Sequence, residues 1–244
     1  MKRNQIYFAS DFHLGSPNLE NSHARERIIV SWLDEIKHNA AKIYLLGDIF
    51  DFWFEYNKVV PKGFVRILGK LAELNEEGIK VYLITGNHDM WAKDYLEKEI
   101  GVKIFYKNTI ITEHNKKILI GHGDGLGNGD YLYKLIKLLF TSNICRWIFA
   151  RFHPNFGITI AHIWSKKSKN QKEKHIDPNK DPLINYCKNI QKSNPLDYYI
   201  FGHRHIPIEL FIEKETQYIN TGDWISHNTY AVLNNGVLKL KKYT

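Results

Sequence analysis

The sequence predicts an α/β protein in which two facing sheets carry helices on their outer sides. Through the first half of the chain, short apolar runs rich in Ile, Val, Leu and Tyr alternate with amphipathic helical patterns, which indicates strands followed by helices. Later apolar runs come in pairs around turn residues, which indicates hairpins. A chain of 244 residues that is 43% hydrophobic can bury the core of one such domain with an insertion.

Five apolar runs are predicted to be strands, and a polar motif follows each of them. Helical patterns at residues 27–36 and 64–74 lie between the earlier runs. Ligands of open α/β sheets collect at the carboxyl ends of the strands, so motifs far apart in sequence are expected to meet at one edge. The strand runs are residues 6–9, 43–46, 81–84, 118–120 and 198–201.

The hairpins are predicted from paired apolar runs with turn residues between them. The pair nearest the C-terminus contains an Asn-Gly step, which is typical of a tight hairpin turn. The pairs are 109–114 with 117–120 around Asn115-Lys116, 208–212 with 217–220, and 230–233 with 237–240 around residues 234–236.

Six polar motifs occur in one order along the chain. Their Asp, Asn and His side chains offer oxygen or imidazole nitrogen to a divalent cation, and most motifs contain or adjoin a Gly. Taken singly, each could be a turn, a helix cap or a polar loop, and for the sixth motif we favour that reading. Taken together at strand ends, they predict a metal centre. The motifs are Asp11-x-His13, Gly47-Asp48-x-x-Asp51, Gly86-Asn87-His88-Asp89, Gly121-His122-Gly123-Asp124, Gly202-His203-x-His205 and Asn220-Thr221-Gly222-Asp223.

We expect a dinuclear site in which the Asp48 carboxylate bridges both ions. Residues two apart in an extended chain project from the same face, so Asp11 and His13 can reach one ion. Two cations about 3.5–4 Å apart bind phosphoryl oxygens and produce hydroxide from a bound water for in-line attack on phosphorus. Mixed nitrogen and oxygen ligands without thiolate favour Mn²⁺, with Fe and Zn²⁺ as alternatives. The expected ligands are Asp11, His13, Asp48 and His205 for one ion, and Asp48, Asn87, His122 and His203 for the other.

A basic segment separates the fourth motif from the fifth. Residues 131–192 contain twelve Lys or Arg and three acids, a net charge of +9, whereas the whole chain carries +8. The first half of the segment is apolar and aromatic at helical spacing, which predicts a helical cap with an apolar side and a basic side. The alternative is that the apolar residues pack the cap's own core and the lysines form a solvated face. The predicted division is a core of residues 1–126, a cap of residues 127–192 and a core of residues 193–244.

The composition favours a cytoplasmic protein with anionic partners. Cys145 and Cys187 have neither metal-type nor framework spacing, which is typical of a reducing compartment. The start of the chain has no room for a signal peptide, and no apolar stretch approaches the roughly 18 residues of a membrane span. The positive charge attracts anions, although charge alone does not distinguish a nucleotide, a nucleic acid and a membrane surface.

The order of the motifs resembles that of the calcineurin-like metallophosphoesterase superfamily, whose fold is a four-layer α/β/β/α sandwich. Within it, the chain is similar to the family of UDP-2,3-diacylglucosamine diphosphatases, which act in lipid A biosynthesis. The second motif continues to Phe52 and Trp53 as in that family. Asp130 and Tyr133 follow the His-Gly-Asp motif at the family's spacing, and a basic aromatic insertion precedes the Gly-His-x-His motif.

The resemblance implies a metal-dependent hydrolase that uses metal-activated hydroxide to cleave UDP-2,3-diacylglucosamine to UMP and 2,3-diacylglucosamine 1-phosphate. The insertion would cover the site and hold the acyl chains, and lysines in it would contact phosphate or an anionic membrane. We therefore expect peripheral association with the cytoplasmic face of the inner membrane. The expected substrate-binding residues are Trp53, Asp130, Tyr133, Lys166, Lys167 and Lys169.

His88 departs from the diphosphatase pattern, because many members of that family have Arg after the metal-binding Asn. In diester hydrolases of the superfamily a His at this place, oriented by the next Asp (here Asp89), assists the transition state and protonates an alkoxide leaving group. A phosphate leaving group, whose second pKa is near 6, needs little such help. We expect His88 and Asp89 to be catalytic. A phosphodiesterase or nuclease with nucleic acid on the basic insertion stays the alternative, and a non-catalytic binding module is disfavoured because every proposed ligand is present.

Overall fold

The computed structural model describes residues 3–127, 131–169, 177 and 180–244, with side chains for all of these except residues 162–169. The elements of the first half are β1 (Gln5–Ala9), α1 (Leu19–Ile36), β2 (Ala40–Leu45), α2 (Val65–Glu76), β3 (Lys80–Ile84), α3 (Tyr95–Lys98), β4 (Lys103–Phe105), β5 (Thr109–Glu113) and β6 (Lys116–Ile120). The later elements are α4 (Tyr131–Thr141), α5 (Asn143–Phe149), α6 (Pro154–Lys169), α7 (Pro182–Ser193), β7 (Tyr198–Phe201), β8 (Pro207–Phe211), β9 (Gln217–Thr221), β10 (Thr229–Asn234) and β11 (Val237–Lys242).

Within the described residues the strands form two sheets, with the orders β11-β10-β1-β2-β3-β4 and β5-β6-β7-β9-β8. Strands β1 to β4 are parallel, as are β6, β7 and β9, while β10 and β11 in the first sheet and β5 and β8 in the second are antiparallel to their neighbours. Five motifs follow the parallel strands β1, β2, β3, β6 and β7, and the sixth begins in the last two residues of β9. The carboxyl ends of these strands therefore bring the motifs to one edge of the sandwich.

Alternation along β1 shows how the layers form. Ile6 and Phe8 pack between the two sheets, whereas Tyr7 and Ala9 pack against α1 and α2 on the outer face of the first sheet. Successive side chains of a strand point to opposite faces, so a strand covered on both sides is apolar throughout. The layers are α1 and α2, the first sheet, the second sheet and α7, which confirms the predicted α/β/β/α sandwich with helical insertion.

Helix α7 shows that the predicted cap, residues 127–192, extends too far. The buried side chains Leu183, Ile184 and Cys187 of α7 pack against Tyr199 and Tyr218 of the second sheet. This helix is therefore the outer layer of the sandwich and belongs to the core. An apolar stripe at helical spacing predicts that a helix is packed but does not reveal its partner. Among the described residues, α4, α5 and α6 make up the cap.

Two predicted boundaries were also wrong. Helix α1 begins eight residues before the predicted start because the Asn18 side chain accepts a hydrogen bond from the Asn21 amide (2.9 Å) and caps it. The first hairpin turns at His114 and Asn115, not at Asn115 and Lys116, and both turn residues have positive φ. Asn235-Gly236 forms the C-terminal hairpin turn, which confirms the Asn-Gly signal there.

The cap is attached to the core through aromatic side chains. The Phe149 ring of α5 lies 4.7 Å, between centroids, from both Phe54 and Trp91, which follow the second and third motifs. The Trp91 indole N–H donates to the Phe140 carbonyl oxygen at the end of α4 (2.7 Å). These contacts place the cap directly beside the edge that carries the motifs.

Candidate metal centre

The metal motifs have an unusual backbone. Asp11, His13, Asp48, His203 and His205 all have positive φ, between 45° and 69°. Non-glycine residues rarely adopt this conformation, and such strain concentrates at functional sites where the surrounding structure enforces it. The extended geometry that we expected for residues two apart is therefore wrong, since β1 and β7 end before their motifs begin.

The conformation is enforced by hydrogen bonds between neighbouring loops. The Asp11 amide donates to the Gly47 carbonyl oxygen (3.0 Å), and the His13 amide donates to the Asp48 carbonyl oxygen (2.9 Å). Gly47 itself requires glycine, because a Cβ there would lie 2.7 Å from His122 Nδ1 and its φ is +89°. The sheet ends and these loop contacts together fix the positions of the candidate ligands.

Asp11, His13 and His205 form a first cluster of candidate ligands. The Nε2 atoms of the two histidines are 3.2 Å apart, and Asp11 Oδ1 lies 3.6 Å from His13 Nε2 and 3.4 Å from His205 Nε2. Asp11 Oδ1 is buried, and no hydrogen-bond donor among the described residues reaches it. A buried carboxylate oxygen that faces two imidazole nitrogens fits a divalent cation.

Asp48, His122 and His203 form a second cluster, and Asn87 lies beside it. His122 Nε2 lies 3.2 Å from Asp48 Oδ2 and 3.2 Å from Asn87 Oδ1. The His203 ring meets the His122 ring edge to face at 5.0 Å between centroids. These are again nitrogen and oxygen donors without a thiolate, a set that suits Mn²⁺, Fe or Zn²⁺.

Asp48 joins the two clusters. Its Oδ2 lies 3.2 Å from His122 Nε2 in the second cluster and 3.7 Å from His13 Nε2 in the first. Its Oδ1 accepts a hydrogen bond from the His88 amide (2.9 Å), which fixes the carboxylate plane. The structure thus brings all seven predicted ligands to one edge and puts Asp48 between the two groups.

Buried carboxylates and imidazoles set each other's charge at this edge. Burial alone would lower the pKa of His122, but the surrounding carboxylates, Asp48 first among them, together outweigh burial and raise that pKa to about 10. Burial alone would raise the pKa of Asp48, but the neighbouring imidazoles, His122 first among them, hold it well below its usual value. Burial and the charge of His122 lower the pKa of His203 to about 4. The ionised carboxylates carry negative charge, which bound cations would neutralise.

His88 and Asp89 lie at the same edge, with roles that differ from the expected ones. His88 Nδ1 donates to the Asp51 carbonyl oxygen (2.8 Å), and its Nε2 lies 4.0 Å from Asp48 Oδ2. The Asp89 carboxylate instead accepts the amides of Gly86 (2.7 Å) and Ile49 (2.8 Å). The expectation that Asp89 orients the His88 ring is therefore wrong, because Asp51 holds the ring and Asp89 fixes the backbone around it. His13, Asp51 and His88 make a third group with metal-binding spacing.

A cavity of about 300 Å³ opens between this edge and the cap. Its polar end contains Asp51, Asn87 and His88. Its apolar walls come from the cap and from the loops that hold it, and they include Trp91, Ile136, Phe140, Phe149, Phe152 and Ile160. The cavity therefore connects candidate metal ligands with an apolar slot.

The predicted substrate-binding residues have different positions. Tyr133 lines the cavity and donates its hydroxyl to Asp124 Oδ2 (2.7 Å). Trp53 contributes to the cavity wall, but its ring is buried in the core between the first sheet and the helices α1 and α2. Its indole N–H donates to Glu55 (3.0 Å). Asp130 lies outside the described residues, as do the side chains of Lys166, Lys167 and Lys169 on α6.

Four polar residues at this edge had no role in the interpretation of the sequence. Asp51, Asp124 and Asp223 are buried acids, and Lys137 of α4 binds Asp124 at 2.6 Å. The three acids stand in the motifs themselves, so the signal was in the sequence. Strand-end position alone does not distinguish an acid that binds metal from one that supports a ligand.

Comparison with known proteins gives the same family throughout the chain. The family model described as calcineurin-like phosphoesterase matches residues 5–207. A UDP-2,3-diacylglucosamine hydrolase of Porphyromonas gingivalis is 36% identical over 98% of this chain and 97% of its own. Proteins of the same name from Aliivibrio fischeri (97% of this chain, 98% of its own) and Histophilus somni (82% and 84%) are each 28% identical.

Proposed function

The chain belongs to the calcineurin-like phosphoesterase family, and on that premise we propose that it hydrolyses the pyrophosphate of UDP-2,3-diacylglucosamine. It is a metal-dependent hydrolase, and its substrate is a UDP-linked acylated sugar of the lipid A pathway, cleaved to UMP and 2,3-diacylglucosamine 1-phosphate. The observation that carries this function is the cavity that runs from Asn87 and His88 at the metal edge into an apolar slot. A phosphate group and an acyl chain on one substrate would fit such a site.

Two divalent ions would be held by the two clusters. Asp11, His13, Asp48 and His205 would bind the first ion, and Asp48, Asn87, His122 and His203 the second. The position of Asp48 Oδ2 between His13 and His122 supports a bridging role. We propose Mn²⁺ because the donor set mixes imidazole with carboxylate and amide oxygens.

The chain's own residues would position the substrate and its charge. When bound, the two ions supply Lewis acidity to the phosphoryl oxygens and lower the pKa of a water between them. His88 faces Asp48 and the cavity, and its Nδ1 is occupied by the Asp51 carbonyl oxygen. When protonated, His88 can therefore donate only through Nε2, towards a phosphoryl oxygen. Asp89 would keep this loop in place through the Gly86 and Ile49 amides.

The cap would hold the acylated part of the substrate. Its inner side chains, such as Ile136, Phe140 and Phe149, are apolar, and an acyl chain has no polar groups to satisfy there. We propose that the cap insertion runs from residue 127 to the end of α6 and that α7 belongs to the core. Trp53, Asp130, Tyr133, Lys166, Lys167 and Lys169 remain the proposed substrate-binding residues.

The outer face of the cap favours a peripheral membrane position. Leu132 is 72% exposed, Leu138 69% and Trp147 60%, and Arg146 and Arg151 lie close to them in the chain. Apolar side chains bordered by basic groups suit the interface of an anionic bilayer, here the cytoplasmic face of the inner membrane. Within the described residues, no helix is long and apolar enough to cross a membrane.

The alternative function is a phosphodiesterase or nuclease, which His88 favours because its diester chemistry needs a proton donor. The deciding experiment compares three substrates with Mn²⁺-loaded protein: UDP-2,3-diacylglucosamine, bis(p-nitrophenyl) phosphate and single-stranded DNA. We expect UMP release from the first at a kcat/KM far above the other two. Preferred cleavage of DNA, with binding that weakens steeply with salt, would support the alternative.

A further inference from the structure

We propose that Asp223 is a positioning residue that holds His205 for metal binding, so that Asp223 strengthens the first metal site and leaves the second unchanged. The proposal rests on the proposed dimetal function. Asp223 belongs to the sixth motif, follows β9 and is 1% exposed. A residue this buried at the strand ends requires partners for both carboxylate oxygens.

The two carboxylate oxygens of Asp223 have separate partners. Oδ1 accepts hydrogen bonds from the Ser226 amide (3.0 Å), the His227 amide (3.1 Å) and His227 Nδ1 (3.1 Å). Oδ2 lies 3.3 Å from His205 Nδ1. One oxygen therefore closes the turn after the motif, and the other is directed at a candidate metal ligand.

The two nitrogens of His205 are correspondingly divided. Nε2 faces Asp11 Oδ1 (3.4 Å) and His13 Nε2 (3.2 Å), where the first ion would bind. Nδ1 faces Asp223, and a carboxylate can only accept a hydrogen bond, so the proton of neutral His205 is kept on Nδ1. The lone pair needed for a metal is then on Nε2. A carboxylate behind a metal-binding imidazole also makes the imidazole more basic.

Within the part of the chain that the structure describes, a backbone carbonyl and not a carboxylate lies behind His122 of the second cluster. His122 Nδ1 contacts the Leu46 carbonyl oxygen at 2.8 Å, and its Nε2 faces Asp48 and Asn87. A neutral carbonyl fixes the same tautomer but adds no negative charge. Loss of Asp223 should therefore affect one of the two binding events and not the other.

The test is stepwise Mn²⁺ binding to metal-depleted protein. Titration calorimetry and the electron paramagnetic resonance signal of bound Mn²⁺ measure each binding step. Asp223→Asn is the first variant, because the amide oxygen can still accept from the turn amides while the amide NH₂ cannot accept from His205. Asp223→Ser, which can also close the turn, replaces it if the Asn variant does not fold. His227→Ala is the matched control, since it removes the other imidazole on the same carboxylate.

We expect Asp223→Asn to raise the Mn²⁺ dissociation constant of one of the two binding steps by about 10- to 100-fold. The dissociation constant of the other step should stay at the wild-type value within experimental error. His227→Ala should bind both ions as the wild type does. In a His205→Ala background, Asp223→Asn should have no further effect on affinity. Equal weakening of both steps, no weakening, or an undiminished effect without His205 would overturn the proposal. Wild-type protein that binds both ions but leaves UDP-2,3-diacylglucosamine intact would overturn the proposed substrate alone.

Discussion

The ammonium group of Lys137 on α4 lies 2.6 Å from a carboxylate oxygen of Asp124, on the loop that carries His122. The Tyr133 hydroxyl, one turn earlier on α4, donates to the same carboxylate. The Asp124 side chain is 4% exposed, whereas that of Lys137 is 35% exposed. The cap helix is thus fixed to the metal edge through one buried acid.

Replacement of Lys137 with Met should lower the free energy of unfolding by about 1–2 kcal/mol, because the buried Asp124 carboxylate loses a charged partner while Tyr133 stays. The wall of the cavity should loosen as well, so KM for the acylated substrate should rise more than kcat falls. Lys137→Arg keeps the charge and serves as control. Urea unfolding and steady-state kinetics measure both effects, and wild-type values for Lys137→Met would contradict the role given to this pair.

A larger side chain in the apolar slot should weaken the binding of long acyl chains more than that of short ones. Ala161→Phe adds volume where Ala161 lines the slot, so KM should rise about tenfold or more for long-chain substrate and little for a short-chain analogue. Ala150→Phe adds the same volume at an exposed position and should leave both values unchanged. A substrate series of decreasing acyl length measures the difference. Equal KM values for all chain lengths in Ala161→Phe would mean that the acyl chain binds elsewhere.

Much of this arrangement could be predicted from the sequence because strand ends converge in a known way. Each of the six motifs lies at the carboxyl end of a parallel strand, so Asp11 and His205 meet although 194 positions separate them. The left-handed backbone at these residues could not be predicted, since it is enforced by loops such as the one around Gly47. The position of α7 and the support of His205 by Asp223 depend on tertiary contacts that local patterns do not encode.

Metal binding should release protons. Without metal the pKa of His122 is raised to about 10, because the neighbouring carboxylates, Asp48 first among them, together outweigh the effect of burial. His122 is therefore protonated at neutral pH and must lose its proton before it can bind an ion. Mn²⁺ affinity should rise with pH between about 6 and 9. Calorimetry in two buffers with different ionisation enthalpies counts the protons, and identical heats in both would argue that His122 does not bind metal.

His88 should matter for rate more than for metal binding. His88→Ala should lower kcat for UMP release by about 10- to 100-fold, since it removes a hydrogen-bond donor beside the phosphoryl group, and should keep the metal content. His88→Arg restores a cation that can donate hydrogen bonds and should recover part of the rate. Metal analysis and steady-state kinetics test this. An Arg variant as slow as the Ala variant would indicate that His88 acts by transferring a proton.

In the proposed hydrolytic site, the Asp48 carboxylate joins the two metal ions. Mn²⁺ content and UMP release should be measured in Asp48→Asn beside wild type. Glu26→Gln is the control, because Glu26 is a similarly buried acid that lies outside the six motifs and accepts a hydrogen bond from the Ile67 amide. We predict two ions per wild-type and Glu26→Gln chain, and at most one ion with nearly all turnover lost in Asp48→Asn. Two ions and near wild-type UMP release in Asp48→Asn would contradict the claim.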